Sequence, residues 1–237
     1  MKTYNILKKI VIALAIIAAV MLGILFVILQ TEKNHSQPQE TPIVETEDSI
    51  DEEIYTSEYV TRNYELNEVN GIPIIHSFIP FDSPRRPGEI RAIKYITIHE
   101  TDNRSTSATA QGHNAYLISD YNDITAWHYT MDDHEIYHNL PDNEIAWNAG
   151  DDRVRDGGNI NGIGIEMCVN LGVDFEKTVD NTAHLTAQLL RTYQLSLEDV
   201  KMHADFMDKI CPHRLISEGR VEEFLDLVQT YYESEGQ

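Results

Sequence analysis

Cysteine is nearly missing from this chain. Only Cys168 and Cys211 occur among 237 residues, too few for the disulfide framework that staples small secreted domains. A single bridge between them stays open as a reading. Basic residues are scarce too. Eighteen Lys and Arg stand against 39 Asp and Glu, for a formal net charge of −21. Without a basic stripe to neutralise phosphates, the sequence excludes nucleic acid as a partner. Internal repeats are absent, and so are low-complexity tracts beyond the acidic bias. The length suits one mid-sized domain with appendages.

The first thirty residues form one such appendage. Lys2, Lys8 and Lys9 precede an apolar run from Ile10 to Leu29, broken only by Gly23. A helix of that length spans roughly 30 Å, the thickness of a bilayer's hydrocarbon core. A cleaved signal peptide is the alternative, since Ala13-Leu-Ala15 matches a cleavage site by residue type. That tripeptide lies inside the apolar run, however, with many apolar residues still to follow. No cysteine follows the run, which excludes a lipoprotein anchor. Residues 1–30 are therefore expected to be a signal anchor with a transmembrane helix over 10–29. Its lysines face the cytoplasm, and everything after Leu29 lies on the cell-wall side of the cell membrane. Residues 31–70 are acidic and poor in large apolar side chains. Such a segment cannot offset its ordering entropy, so a disordered tether is expected there.

A folded domain is expected over 71–237. Tyr95 to His99 alternates and is β-branched, the pattern of a strand. Thr109 to Tyr121 carries helical spacing. Thr125 to Met131 and Glu135 to Tyr137 read as a hairpin, and Gly162 to Val169 as a central strand. Asp151 to Asn161 reads as an exposed loop. Asp180 to Leu195 reads as a helix, and Ser217 as the cap of a last one. This order implies an α/β fold with a mixed central sheet flanked by helices.

The chemistry concentrates in a few residues. His203 and Cys211 lie eight apart, with Pro212 next, and His99 ends an apolar strand. Two imidazoles and a thiolate suit Zn2+, and three protein ligands leave one position for a reactive water. That pattern points to a hydrolase. A thiolate ligand weakens the acidification of that water, so an accessory base is needed. Glu166 is the one ionisable residue between Gly162 and Val169, and a carboxylate in a buried strand is costly without a role. A satisfied structural carboxylate is the alternative. Cys168 reads as an ordinary buried strand residue. Trp127 and His128 are candidate substrate contacts, with a core role for Trp127 the alternative. Other histidines, His113 and His138 among them, read as surface or core residues.

Five segments occur in a telling order. They are Lys94-Tyr-Ile-Thr-Ile-His99, Ala126-Trp-His-Tyr-Thr-Met-Asp-Asp133, Ala146-Trp-Asn-Ala-Gly-Asp151, Gly162-Ile-Gly-Ile-Glu166 and His203 through Lys209-Ile-Cys-Pro212. Together they resemble the type 2 N-acetylmuramoyl-L-alanine amidases, a zinc-dependent family of autolysins, prophage lysins and peptidoglycan recognition proteins. The resemblance implies that His99, His203 and Cys211 hold zinc in a surface cleft. It implies Glu166 as general base, Lys209 as an aid to the oxyanion, and peptidoglycan as substrate. Trp127 stands where other relatives carry a catalytic tyrosine. A monomeric catalytic domain is expected. Some members of the wider family bind peptidoglycan without cutting it, typically where the cysteine is lost, so a sensor module is the alternative function. Two departures stand out. His99-Glu-Thr-Asp-Asn103 replaces the usual His-Asn-Thr-Gly-Asn, and Asn148 replaces a frequent histidine.

Overall fold

The computed structural model describes residues 66–119 and 123–234. The chain divides into Met1–Ile50 and Asp51–Gln237, and every described residue belongs to the second unit. The expected membrane span, 10–29, and nearly all of the expected tether lie outside the described residues. Among the described residues, no helix is long and apolar enough to cross a membrane.

Among the described residues, seven strands and five helices build the domain. The strands are β1 (Glu68–Val69), β2 (Ile72–His76), β3 (Tyr95–Glu100), β4 (Tyr129–Met131), β5 (Ile136–His138), β6 (Gly162–Met167) and β7 (Val200–Met202). The helices are α1 (Ala110–Leu117), α2 (Gly158–Asn161), α3 (Phe175–Thr192), α4 (His213–Ser217) and α5 (Val221–Ser234). One sheet runs in the order β1-β2-β5-β4-β6-β3-β7. β1 pairs β2 and β4 pairs β5 antiparallel, and all other neighbours are parallel. The fold is thus mixed α/β with helices on the sheet, as the sequence predicts.

Strand alternation divides the labour between the two faces. Ile96, Ile98, Ile163, Ile165, Met167 and Tyr129 point to one side and join the main core with Val179 and Leu189 of α3 and Phe224 and Val228 of α5. Burying each such aliphatic side chain contributes about 1.5–3 kcal/mol. The register places Thr97, His99, Gly164, Glu166 and Thr130 on the opposite face. Helix α1 contacts β4 and β5. It buries Ala110, His113, Asn114 and Leu117, one helical stripe. Thr109 caps it by accepting from Gly112 N at 3.1 Å, and Asp132 Oδ2 accepts from Ala110 N at 3.0 Å.

Several element boundaries differ from expectation for local reasons. The strand expected over 125–131 shortens to Tyr129–Met131. Ala126 N and His128 N instead donate to Trp147 O and Gly164 O. The loop expected over 151–161 ends in the short helix α2, whose first N–H groups are held by Asp151. Helix α3 starts at Phe175, five residues before the expected point, because Asp174 caps it through Lys177 N. Ser217 does not cap the last helix. It ends α4, Gly219 adopts φ +69°, and α5 starts afresh at Val221.

A buried polar group ties β5 to α3. Asp142 Oδ1 lies 3.1 Å from His138 Nε2, and Tyr193, at the end of α3, donates its hydroxyl to Asp142 Oδ2 at 2.7 Å. Burial alone would raise the Asp142 pKa, but His138 and Tyr193 outweigh it and hold the carboxyl at about 2. A depressed folded-state pKa contributes stability above the unfolded value near 4, and that stability drains as pH falls toward 2. The expected size is about 2 kcal/mol. Urea melts of wild type and Asp142→Asn should therefore differ most at neutral pH and converge between pH 4 and 2. Parallel stability curves over that window would remove this pair from the acid response.

Candidate active site

The site assembles where parallel strands end. His99 and Glu166 are register partners on β3 and β6, and Thr130 of β4 is the next partner across. Strand β7 stops at Met202, and His203 opens a 3-10 turn over His203–Asp205. Asp205 closes that turn by accepting from Met202 N at 2.7 Å. Ala204 N then donates to Cys211 O at 3.0 Å, which returns Cys211 to the side of His203. The loop between carries Lys209.

Three side chains expected to act together therefore do meet. One ligand atom from each of His99, His203 and Cys211 lies within 4.8 Å of the others. All three residues are at most 5% exposed. The His99 and His203 Nδ1 atoms are 3.0 Å apart. His203 donates Nε2–H to Ala149 O at 3.2 Å, which leaves a lone pair on Nδ1. Burial, then the charges of His203 and Lys209, hold His99 well below the usual histidine range. His203 is lowered by burial and Lys209. Neutral imidazoles are the form that binds metal. Burial pushes the Cys211 thiol up to about 12, so it keeps its proton unless a cation displaces it. It contacts Glu100 O at 3.9 Å. The donor set, its burial and its spacing fit a zinc ion.

Glu166 borders this cluster. Its Oε1 is 3.9 Å from His99 Nδ1, with the side chain 14% exposed, and Oε2 is buried without a hydrogen-bond partner. Burial raises its pKa to about 8, with Lys209 acting downward and Glu100 upward. A buried carboxylate oxygen without a partner is costly to keep, which makes Glu166 a candidate functional group. Lys209 itself is exposed, yet its charge reaches His99, His203, Glu166 and Cys211.

Trp127 and His128 separate. Trp127 is 6% exposed, donates Nε1–H to Thr130 Oγ1 at 2.6 Å, and forms part of a cleft of about 400 Å³. Thr101, Asn103, His113 and Tyr116 line the same cleft. His128, expected as a substrate contact, is instead structural. It is 0% exposed. Its Nδ1 accepts from Gly164 N at 3.0 Å and its Nε2 donates to Glu144 O at 2.9 Å, so both ring nitrogens are taken up within the fold. Burial, with Arg91 next, lowers its pKa to about 3. Both cysteines are free thiols, which ends the disulfide reading. Cys168 is buried, 3.9 Å from His113 Nδ1.

The sequence does not mark His113 as a cleft residue. Its place on the apolar stripe of α1 matches that of a core side chain. The departures near His99 also find explanations. Asp102 adopts φ +49°, where glycine is the easiest residue and aspartate is tolerated. Glu100 turns its Oε2 to Arg214 N at 2.8 Å and so fastens the end of β3 to the start of α4.

Fold and site together define the class: an α/β domain with a His-His-Cys cluster that could hold a metal ion at the ends of its parallel strands. The family described as N-acetylmuramoyl-L-alanine amidase matches residues 89–214, and the chain belongs to it. It is 40% identical over 145 residues to N-acetylmuramoyl-L-alanine amidase XlyA of Bacillus subtilis strain 168, covering 61% of this chain and 48% of that protein. It is 38% identical over 145 residues to CwlH of the same strain, an N-acetylmuramoyl-L-alanine amidase by name, covering 61% and 57%. The solved catalytic domain of XlyA matches with a TM-score of 0.62 at 38% identity, covering 66% of this chain and 99% of that one. The chain spans about half the length of the curated relatives it matches.

Proposed function

We propose that this protein is a zinc-dependent N-acetylmuramoyl-L-alanine amidase of peptidoglycan. It would cleave the amide between the lactyl group of N-acetylmuramic acid and L-alanine. The observation that carries this reading is the convergence of His99, His203 and Cys211 beside the unpartnered carboxylate of Glu166, within a domain of this family. His99, His203 and Cys211 hold the ion; when bound, zinc polarises the scissile carbonyl and acidifies water. Glu166 takes the proton of the attacking water as the new C–O bond forms. When the C–N bond breaks, the same carboxyl delivers that proton to the leaving alanine nitrogen. The Lys209 ammonium offsets charge on the tetrahedral oxygen. Trp127 and the Thr101–Asn103 side of the cleft receive the substrate.

Residues 10–29 supply the membrane anchor in this reading. The three lysines hold the anchor's start in the cytoplasm, and the acidic segment after it extends the domain toward the wall. A fixed radius of action suits remodelling of wall near the membrane.

Full-length protein incubated with purified peptidoglycan should release new N-terminal alanine amines. Chelation should reduce that release by about 10²-fold or more, and added zinc should restore it. Binding of wall without release, or release indifferent to chelator, would contradict the proposal.

A further inference from the structure

We propose that Asn148 is a positioning residue for the metal centre: its side-chain carbonyl accepts from His99 Nε2–H, so that Asn148 and Ala149 together fix both imidazoles. The inference rests on the zinc reading of the site and deepens it.

A histidine that binds metal through one ring nitrogen donates from the other to a fixed acceptor, which sets tautomer and ring orientation. His203 meets that rule through Ala149 O at 3.2 Å. His99 needs an equivalent acceptor, because its Nδ1 is the atom facing His203 at 3.0 Å. Its Nε2 is buried with no partner of standard geometry, and the Asn148 Oδ1 is buried in the same condition. A buried ring N–H and a buried amide carbonyl are complementary orphans, and leaving both unpaired is costly. The Asn148 side chain lies within interaction range of the His99 ring.

The amide sits where it can do this. A Cβ on Gly164 would lie 2.9 Å from both Asn148 Cγ and Oδ1. Gly164 is the register partner of Thr97 and lies two residues from Glu166 on the face that carries His99. The Asn148 side chain therefore lies flat on the sheet beside the site, in space that only glycine leaves open. Its Nδ2 donates to Ala146 O at 3.2 Å, which turns Oδ1 the other way.

The dipeptide is itself held firmly. Asn159 Oδ1 accepts from Asn148 N at 2.8 Å and from Ala149 N at 2.7 Å. Asn159 in turn donates Nδ2–H to Asp152 O at 3.1 Å. A Cβ on Gly158 would come within 2.6 Å of Ala149 Cβ, so the close approach of α2 to this segment also needs glycine. One short segment, pinned from behind, thus reaches two metal ligands that lie 104 positions apart.

Two measurements on the full-length protein test this. In the metal-free protein, long-range 1H–15N spectra should report His99 as the Nε2–H tautomer in wild type. In Asn148→Leu, which keeps volume and loses the acceptor, that signal should shift or split. Zinc affinity from chelator competition should fall about 10–100-fold in Asn148→Leu. Asn148→Asp, which keeps an acceptor oxygen, should bind zinc at least as well as wild type to within a few-fold. A wild-type Nδ1–H tautomer, or Asn148→Leu binding zinc within twofold of wild type, would overturn the inference and leave the zinc reading standing. Failure of wild type itself to bind zinc would instead overturn the zinc reading, and the tautomer measurement would still decide the hydrogen bond.

Discussion

Replacing Glu166 with glutamine should leave zinc content unchanged and lower turnover on peptidoglycan by about 10²–10⁴-fold. The substitution preserves shape, so the packing between β3 and β4 survives. It removes the ability to take a proton and hand it on. Glu166 is not one of the three clustered side chains; its Oε1 is 3.9 Å from His99 Nδ1. Its other oxygen has no partner to lose. The large effect should therefore fall on kcat, with little change in folding or metal content. Turnover equal to wild type would remove Glu166 from the mechanism. Loss of zinc together with activity would recast it as a fourth ligand.

Cys211→Ser should weaken zinc binding by about 3 kcal/mol or more, roughly 10²-fold or greater. Zinc displaces a thiol proton readily, whereas a serine hydroxyl stays protonated and offers a harder, weaker donor. The site makes this difference large. Burial already pushes the Cys211 thiol up to about 12, so only the attraction of a cation offsets the cost of a buried anion. Serine is nearly isosteric at a 3% exposed position, so the metal-free domain should keep its fold. A Cys211→Ser protein with stoichiometric, tightly held zinc would exclude Cys211 from the ligand set.

Much of the candidate site's clustering was legible along the chain, and the reason is local. β3 and β6 declare themselves through β-branched alternation and a near-continuous apolar run, and each carries one polar residue out of pattern, His99 and Glu166. Parallel pairing then places these two side by side. The spacing of His203 and Cys211 encodes a loop that doubles back on itself, as Ala204 N to Cys211 O records. What the sequence hides is partner choice across long distances. His99 and His128 both follow apolar strand-like runs. His128 is spent on Gly164 N and Glu144 O, partners 36 and 16 positions away, and nothing near it in the chain announces them. Strand β7 is three residues long, too short to carry a period of its own. His113 keeps the spacing of a core residue, although it lines the cleft. The division of the C-terminal helix turns on Gly219 alone, while the residues on both sides favour helix.

X-ray absorption at the zinc edge, on full-length protein purified without chelator, examines the metal centre most directly. One zinc per chain is expected. Its shell should contain a single sulfur at about 2.3 Å and nitrogen or oxygen neighbours at about 2.0–2.1 Å, with imidazole scattering from two histidines. In protein stripped of metal and refilled, the sulfur signal should disappear when Cys211 is replaced, and the imidazole scattering should weaken when His203 is replaced. A wild-type protein that holds no zinc, or whose zinc has no sulfur neighbour, would contradict the assignment of His99, His203 and Cys211 as its ligands.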